Sequence, residues 1–272
     1  MKKYIVIGNG NLGSSLANYL KSDLVIHIKQ TRNLERVLDE LRIYYKKISE
    51  EQICVINTVG IINTSISNNN EVNLVNVQFP LNLIQTCNQF NFQLITIGTI
   101  MENFPIYCWE NIYLESKLKF FKASQKYQSP NHLHLQLHTI YGGKTMHKNM
   151  FLSKFFYSLR SETTFEMSEG EQIREYHHVL DDCGAILKAG NHFRAGILDL
   201  SSGFPVKLRV LVSDIAKSLN LSHLISRGKI PRNMNDNFSY SFSKRKFLEE
   251  VNFRNPIEGV LKYYKSNRWI IK

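Results

Sequence analysis

The chain has 272 residues and a formal net charge of +11. That length holds one large domain, or a nucleotide domain with a smaller partner. The positive balance favours anionic partners: nucleic acid, acidic membranes or phosphorylated small molecules. Cys54, Cys87, Cys108 and Cys183 form no CxxC pair, which argues against a zinc site and fits a reduced cytosolic setting. No apolar run approaches the roughly 20 residues that span a bilayer. The run "YIVI" after Lys2 and Lys3 is too short for a signal peptide, so a soluble cytoplasmic protein is expected.

In chain order, "KYIVIGNGNLGSSLANYL" reads as a β-branched strand, a glycine turn and a helix carrying Leu12, Leu16 and Leu20 at helical spacing. "DLVIHI" is a second strand, "NLERVLDELRIYYKKI" an amphipathic helix and "QICVINTVG" a third strand. "LVNVQFPLNLIQTCNQ" predicts a helix with Pro80 as a local interruption. "FQLITIG" is another strand, the stretch from Trp109 to about Tyr127 another helix, and "HLHLQLHTIYGG" a further strand. Strands alternating with helices predict an α/β fold, a Rossmann-like doubly wound parallel sheet covered on both faces. Residues 1–143 form that domain, and 179–202 ("HVLDDCGAILKAG", then "GILDLSS") return to it. Residues 144–178 and 203–272 read as more irregular and basic, and predict a smaller substrate-binding cap. Ligands of open parallel sheets bind at the carboxyl ends of the strands, which such a cap would cover.

Gly8, Gly10 and Gly13 form GxGxxG between a strand and a helix. Gly8 permits the tight turn, Gly10 admits a pyrophosphate to the backbone, and Gly13 allows close packing of helix on strand. Asn11 and Leu12 lie at the helix start, where free N–H groups and the helix dipole face phosphate. An NAD site usually places an acid after the second strand, on the adenosine ribose. Here the sequence is Lys29-Gln30-Thr31-Arg32, which suits the 2′-phosphate of NADP or is a solvated basic loop. Farther on, Tyr113 and Lys117 are four residues apart and share a helix face. A lysine ammonium, together with a positive nicotinamide ring, would lower a tyrosine from its reference pKa of about 10 toward neutrality. Tyr113 then exchanges a proton with a carbonyl or alcohol, and Thr99, ending "LITIGT", hydrogen-bonds the same oxygen.

The order GxGxxG, "NTVG", Thr99, YxxxK resembles the extended branch of the short-chain dehydrogenase/reductase superfamily, the nucleotide-sugar epimerases, dehydratases and reductases. "NVQFPLNLIQTC", "YLESK", "IYGG", "REYHHVLDD" and "SFSKRKFLEEVNFRNPIEGVLKYY" extend the resemblance over nearly the whole chain. It implies that Asn57, Val59 and Gly60 line the nicotinamide ribose, that Lys117 reaches that ribose, and that Arg174, Asn149 and Arg232 contact the diphosphate region of a nucleoside diphosphate-sugar. A homodimer is expected. Three departures stand out: Ile7 occupies the place of a family glycine, a strand and an acidic adenine contact are missing, and the Thr99–Tyr113 spacing is short.

Other residues carry plainer readings. His177 and His178 are expected to pack in or beside the core, and Asp181 or Asp182 to cap a helix. His132, His134 and His138 alternate on a strand without a clear metal set, and Cys108 is a pocket-wall residue. Ile100 and Met101 follow Thr99, where a 4,6-dehydratase needs acids, so dehydration is excluded. The expected reaction is NADPH-dependent reduction of a 4-keto sugar in surface-polysaccharide precursor synthesis. The alternative is 4-epimerisation with bound NAD. A reading of another class, a non-catalytic RNA-binding or regulatory protein, fits the charge, but the intact Thr–Tyr–Lys set disfavours nucleic acid.

Overall fold

A computed structural model of the chain describes residues 2–20, 25–29, 34–47, 52–62, 69–109, 111–143, 145–231, 242–266 and 270–271. The chain divides into two compact units, Met1–Leu137 with Cys183–Leu200, and His138–Asp182 with Ser201–Lys272. The sequence placed these divisions at 143/144, 178/179 and 202/203. Among the described residues no helix is long and apolar enough to cross a membrane.

The first unit is built on a six-stranded parallel sheet. Its first strands are β1 (Lys3–Ile7), β2 (Val25–Ile28), β3 (Ile53–Asn57), β4 (Gln93–Thr99) and β5 (His132–Leu137). A sixth, Gly196–Asp199, pairs with β5 on the outer side. From that edge the order runs Gly196–Asp199, β5, β4, β3, β1, β2. The strand order therefore reverses at β1, and the crevice of the sheet opens between the carboxyl ends of β1 and β3. β3 is buried at every position, as a central parallel strand must be. The helices are α1 (Asn11–Tyr19), α2 (Leu34–Lys47), α3 (Asn69–Asn73), α4 (Phe79–Gln89) and α5 (Ile112–Gln125). Ile5, Ile7, Val37, Leu41, Val55, Leu83, Ile84 and Phe120 belong to the core that joins sheet and helices.

The helix read as interrupted at Pro80 is interrupted just before it. Residues Leu74–Gln78 form a π-helical segment between α3 and α4, and Pro80 sits in the first turn of α4, directly after that segment.

The second unit is more regular than its sequence suggested. It holds α6 (Phe151–Arg160), the start of α7 (Val179–His192), α8 (Leu208–Ser218) and α9 (Pro256–Lys265). Phe155, Phe156, Leu211, Val212, Ile215, Val260 and Tyr263 share one apolar core. Each helix is short and each spends its apolar residues on one stripe, so the pattern is easily lost among the surrounding lysines. Short strands complete the unit: β6 (Thr139–Tyr141), β7 (Thr145–Met146), β8 (Phe165–Met167), β9 (Ile173–Arg174) and β10 (Tyr176–His178). Counting the sixth sheet strand as β11, there follow β12 (Val206–Lys207), β13 (Ile225–Arg227) and β14 (Ile270–Ile271).

Asp181 and Asp182 are not helix caps. Asp181 accepts from the Arg254 amide at 3.0 Å and pairs with its guanidinium at 2.9 Å. Asp182 bonds His177 Nδ1 at 2.9 Å, while Glu175 bonds His177 Nε2 at 3.0 Å. Burial alone would lower the His177 pKa, but Asp182 and then Glu175 outweigh it and raise it to about 9. The folded state therefore holds a proton that the unfolded chain releases near pH 6.5. This stabilisation is complete below about pH 6.5 and is lost as pH rises through about 9. Urea titrations at both ends of that window are expected to show lower stability at the alkaline end. His177→Gln leaves two buried carboxylates uncompensated and should cost about 3–5 kcal/mol at neutral pH, with that slope removed.

Candidate active site

The site begins where β1 ends. Gly8 has φ +121°, a left-handed region that favours glycine. A methyl at Gly8 would collide with Thr58 Oγ1, and one at Gly13 with the Gly8 carbonyl and Thr58. Helix α1 thus touches the sheet through bare backbone. Thr58 seals the contact by donating both its N–H and its hydroxyl to the Ile7 carbonyl, each at 2.8 Å. His27 Nε2 donates to the Gly8 carbonyl at 2.7 Å and fixes the turn from β2. The pattern of glycines did not reveal His27; its position on the neighbouring strand was the available signal.

Gly10 differs from the other two. A methyl there would meet nothing within 4 Å. It is the N-cap of α1 and carries no side-chain oxygen, whereas Asn111 caps α5 by accepting from the Leu114 amide at 3.1 Å. An open, uncapped helix end beside the β1/β3 crevice fits a pyrophosphate. Asn11 and Leu12 open the helix and are partly buried. Lys29 is exposed directly after β2. Arg32 lies outside the described residues, as does Arg232.

On the other side of the crevice, Asn57 is buried and its Oδ1 accepts from the Val59 amide at 3.1 Å. Gly60 follows, and a methyl on it would lie 3.8 Å from Lys117 Nζ and 3.6 Å from Asn76 Oδ1. The segment expected to line a nicotinamide ribose therefore runs beside Lys117. Asn76 is a residue that the sequence reading did not single out. Its amide accepts from Ile61 N at 2.8 Å and donates to Ile61 O at 3.0 Å and Ser116 Oγ at 2.9 Å. The π-helical segment aims it there, and such segments often mark functional positions.

Tyr113 and Lys117 do share a face. Lys117 Nζ lies 5.9 Å from the Tyr113 ring centroid and donates to the Ile97 carbonyl at 2.9 Å. Lys117 is buried, Tyr113 partly exposed. Ser116 donates to the Tyr113 carbonyl at 2.7 Å, within the same turn of α5. The electrostatics correct the expectation from spacing alone. Burial, then the charge of Glu102, push Tyr113 up rather than down. Burial lowers the Lys117 ammonium, and Glu102 opposes that.

Thr99 ends β4, two residues after the carbonyl that holds Lys117. Its Oγ1 accepts from Met101 N at 3.4 Å, and its own amide donates to Glu102 Oε1 at 3.2 Å. With a backbone donor on the oxygen, the hydroxyl hydrogen is left to donate elsewhere. Glu102 was missed by a reading that stopped at Ile100 and Met101. It is turned inward, and its Oε2 bonds His134 Nε2 at 2.8 Å and Gln136 Nε2 at 3.2 Å. His134 and His132 both bond Thr96 Oγ1, at 2.8 and 2.7 Å. Burial, then His134, lowers the His132 pKa to about 3, so that ring is neutral. Cys108 is buried, donates to the Met101 carbonyl at 3.4 Å and has its thiol pushed up to about 11 by burial and nearby acids, so it is no nucleophile.

Arg174 and Asn149 lie in the second unit. Arg174 Nη1 donates to the Ile173 carbonyl at 2.8 Å, and Asn149 is exposed before α6.

Residues 4–199 match the sequence profile of the NAD dependent epimerase/dehydratase family. That is most of the chain, and the protein belongs to this family. Its fold is that of solved nucleotide-sugar enzymes. MoeE5 in complex with UDP-glucose and NAD is 17% identical, with a TM-score of 0.73 and 98% of each chain covered. The UDP-N-acetylglucosamine 4-epimerase from Bacillus cereus is 16% identical, with a TM-score of 0.72 over 97% of this chain and 99% of that one. DesIV, the dTDP-glucose 4,6-dehydratase of Streptomyces venezuelae with NAD bound, is 17% identical, with a TM-score of 0.71 and 98% of each chain covered. No curated protein sequence matches the chain.

Asn76→Ala is expected to take away the bonds to the Ile61 amide and carbonyl and to cost about 1–3 kcal/mol of stability, read by urea denaturation. Hydrogen exchange should quicken at Ile61 more than in the sheet, because the clamp, not the core, is removed.

Proposed function

We propose that the protein exchanges hydride between a nicotinamide and C4 of a nucleoside diphosphate-hexose. The observation that carries this reading is the Tyr113–Lys117 pair, tied to β4 through Ile97 and set beside Gly60 at the β1/β3 crevice. A bound nicotinamide supplies the hydride acceptor and donor, and its positive charge in the oxidised form. The glycine turn and α1 hold the pyrophosphate, and Lys117 holds the ribose by its ammonium. Tyr113 transfers the proton at the sugar's 4-oxygen, and Thr99 donates a hydrogen bond to that oxygen. Since burial and Glu102 keep Tyr113 protonated, the phenol is stored in its acid form and becomes a base only when positive charge is placed beside it. No acid follows Thr99 directly, and Glu102 is spent on His134 and Gln136, so elimination of water from the sugar lacks its proton carriers.

Two outcomes of this chemistry remain distinct. In 4-epimerisation, NAD stays bound and the hydride returns to the other face of the 4-keto sugar. The family to which the chain belongs supports this form. In 4-keto reduction, NADPH is consumed. Lys29, a cation at the end of β2 in place of an acid, favours this form, because it can pair with a 2′-phosphate. We take epimerisation with NAD first, since the family match spans most of the chain and the case for NADPH rests on one exposed lysine.

Denaturing the purified protein and identifying the released nucleotide tests the choice. Stoichiometric NAD, and interconversion of UDP-glucose or UDP-N-acetylglucosamine with the 4-epimer, is the expected result. An empty site with a clear NADPH preference reverses the order. In either case Tyr113→Phe is expected to lower turnover by about 10²–10⁴ while cofactor still binds.

Arg174 is proposed as a diphosphate ligand, its fork matched to phosphate oxygens. Arg174→Ala should weaken calorimetric binding of UDP-sugars about tenfold or more and leave dinucleotide affinity unchanged. Equal sugar-nucleotide affinity in both proteins would remove Arg174 from the site.

A further inference from the structure

Between Gly8 and Gly10, directly before the N-cap of α1, stands an exposed asparagine, Asn9. Asparagine is among the best capping residues, accepting from the first N–H groups of a helix. Asn9 does not do this. Helix α1 has no side-chain cap and no acid in its first turn. The Asn9 Oδ1 is turned instead to the Ser14 hydroxyl, which lies 3.2 Å from it and 3.3 Å from the Asn9 carbonyl oxygen. Ser14 is one turn into α1, with its N–H donating to the Gly10 carbonyl at 3.0 Å. Asn9 and Ser14 thus satisfy each other and leave the helix end uncovered.

A side-chain amide has two ends. With Oδ1 on Ser14, Nδ2 and its two hydrogens are turned away from the hydroxyl. Among the described residues nothing accepts from that nitrogen. The next residue is Gly10, in front of which an added methyl would meet nothing within 4 Å. The backbone that carries Asn9 is held as well. Gly8 donates its N–H to the Ile28 carbonyl at 3.0 Å, and its carbonyl accepts from His27 Nε2 at 2.7 Å. A fixed turn on one side and Ser14 on the other keep a spare donor at the open helix end.

We propose that Asn9 is a side-chain ligand of the dinucleotide pyrophosphate, with Nδ2 as the donor, and that Ser14 is the residue that positions it. The inference rests on the glycine turn holding a dinucleotide, a reading supported by the family match and the uncapped α1. It explains why the position carries an amide. Aspartate caps a helix as well as asparagine does, but it would turn a negative oxygen toward an anion.

The experiment is calorimetry of the full chain, freed of bound nucleotide, with ADP-ribose as the probe. ADP-ribose carries the pyrophosphate and lacks nicotinamide, so no reaction enters the readout. Asn9→Ala is expected to weaken binding about tenfold, the worth of one hydrogen bond to a charged group. Asn9→Asp keeps an acceptor for Ser14 and should weaken binding further, because repulsion is added. Ser14→Ala should weaken binding when Asn9 is present and have no further effect in the Asn9→Ala background. A merely structural Ser14 would act alike in both backgrounds, and that result overturns its positioning role. Asn9 is exposed, so its variants are expected to unfold in urea as the wild type does. Equal ADP-ribose affinity in the wild type and Asn9→Asp removes Asn9 from the site while the dinucleotide reading stands. A wild type that does not bind ADP-ribose removes the dinucleotide reading, and this proposal with it.

Discussion

Helix α1 reaches the sheet only because two positions carry no side chain. At Gly8 and Gly13 the backbone of the turn, the helix and Thr58 pack so closely that a single methyl has no room. Everything on the cofactor side follows from that contact. It sets the end of α1 against the crevice between β1 and β3 and leaves Gly10 open in front of it. It also makes Thr58 and His27 structural partners of the turn, because the Ile7 and Gly8 carbonyls exposed by the bend must be satisfied. The opposite wall is held by a separate device, Asn76, which grips Ile61 and Ser116 at once.

Charge is handled differently in the two units. In the first, buried Glu102 is bonded by Thr99 N, His134 and Gln136, and its charge still raises the Tyr113 pKa and opposes the lowering of Lys117. In the second, His177 lies between Asp182 and Glu175, and Ser202 gives both its N–H and its hydroxyl to Glu175 at 2.7 Å. That field is consumed locally. His177 was expected to pack in or beside the core; it is buried, yet bound to two carboxylates.

Much of the first unit was legible in the sequence because its signals are local and periodic. β-branched runs, three glycines at fixed offsets and a tyrosine four residues before a lysine each need only a short window. The missed residues depend on longer reach. Glu102 pairs with His134 across 32 positions, and Asn76 meets Ser116 across 40. No spacing rule links them. The direction of the Tyr113 pKa was missed for the same reason: the lysine that would lower it is near in sequence, while the burial that raises it is tertiary. The helices of the second unit were hidden by their brevity. The sequence also led toward a phosphate-reading basic turn after β2, where only Lys29 is described and it is exposed.

The π-helical segment Leu74–Gln78 has a consequence for anyone who edits this chain. A π turn closes its hydrogen bonds one residue later than an α turn, so it behaves as an insertion of one residue into a helix. Each residue of an α-helix turns the chain by roughly 100°. Deleting Leu74, Val75, Val77 or Gln78 would let the helix relax to regular winding, and Asn76 could no longer meet both Ile61 and Ser116. Substitutions at Leu74, whose side chain is exposed, are tolerated far better than any change of length. Here the count of residues carries information that their identities do not.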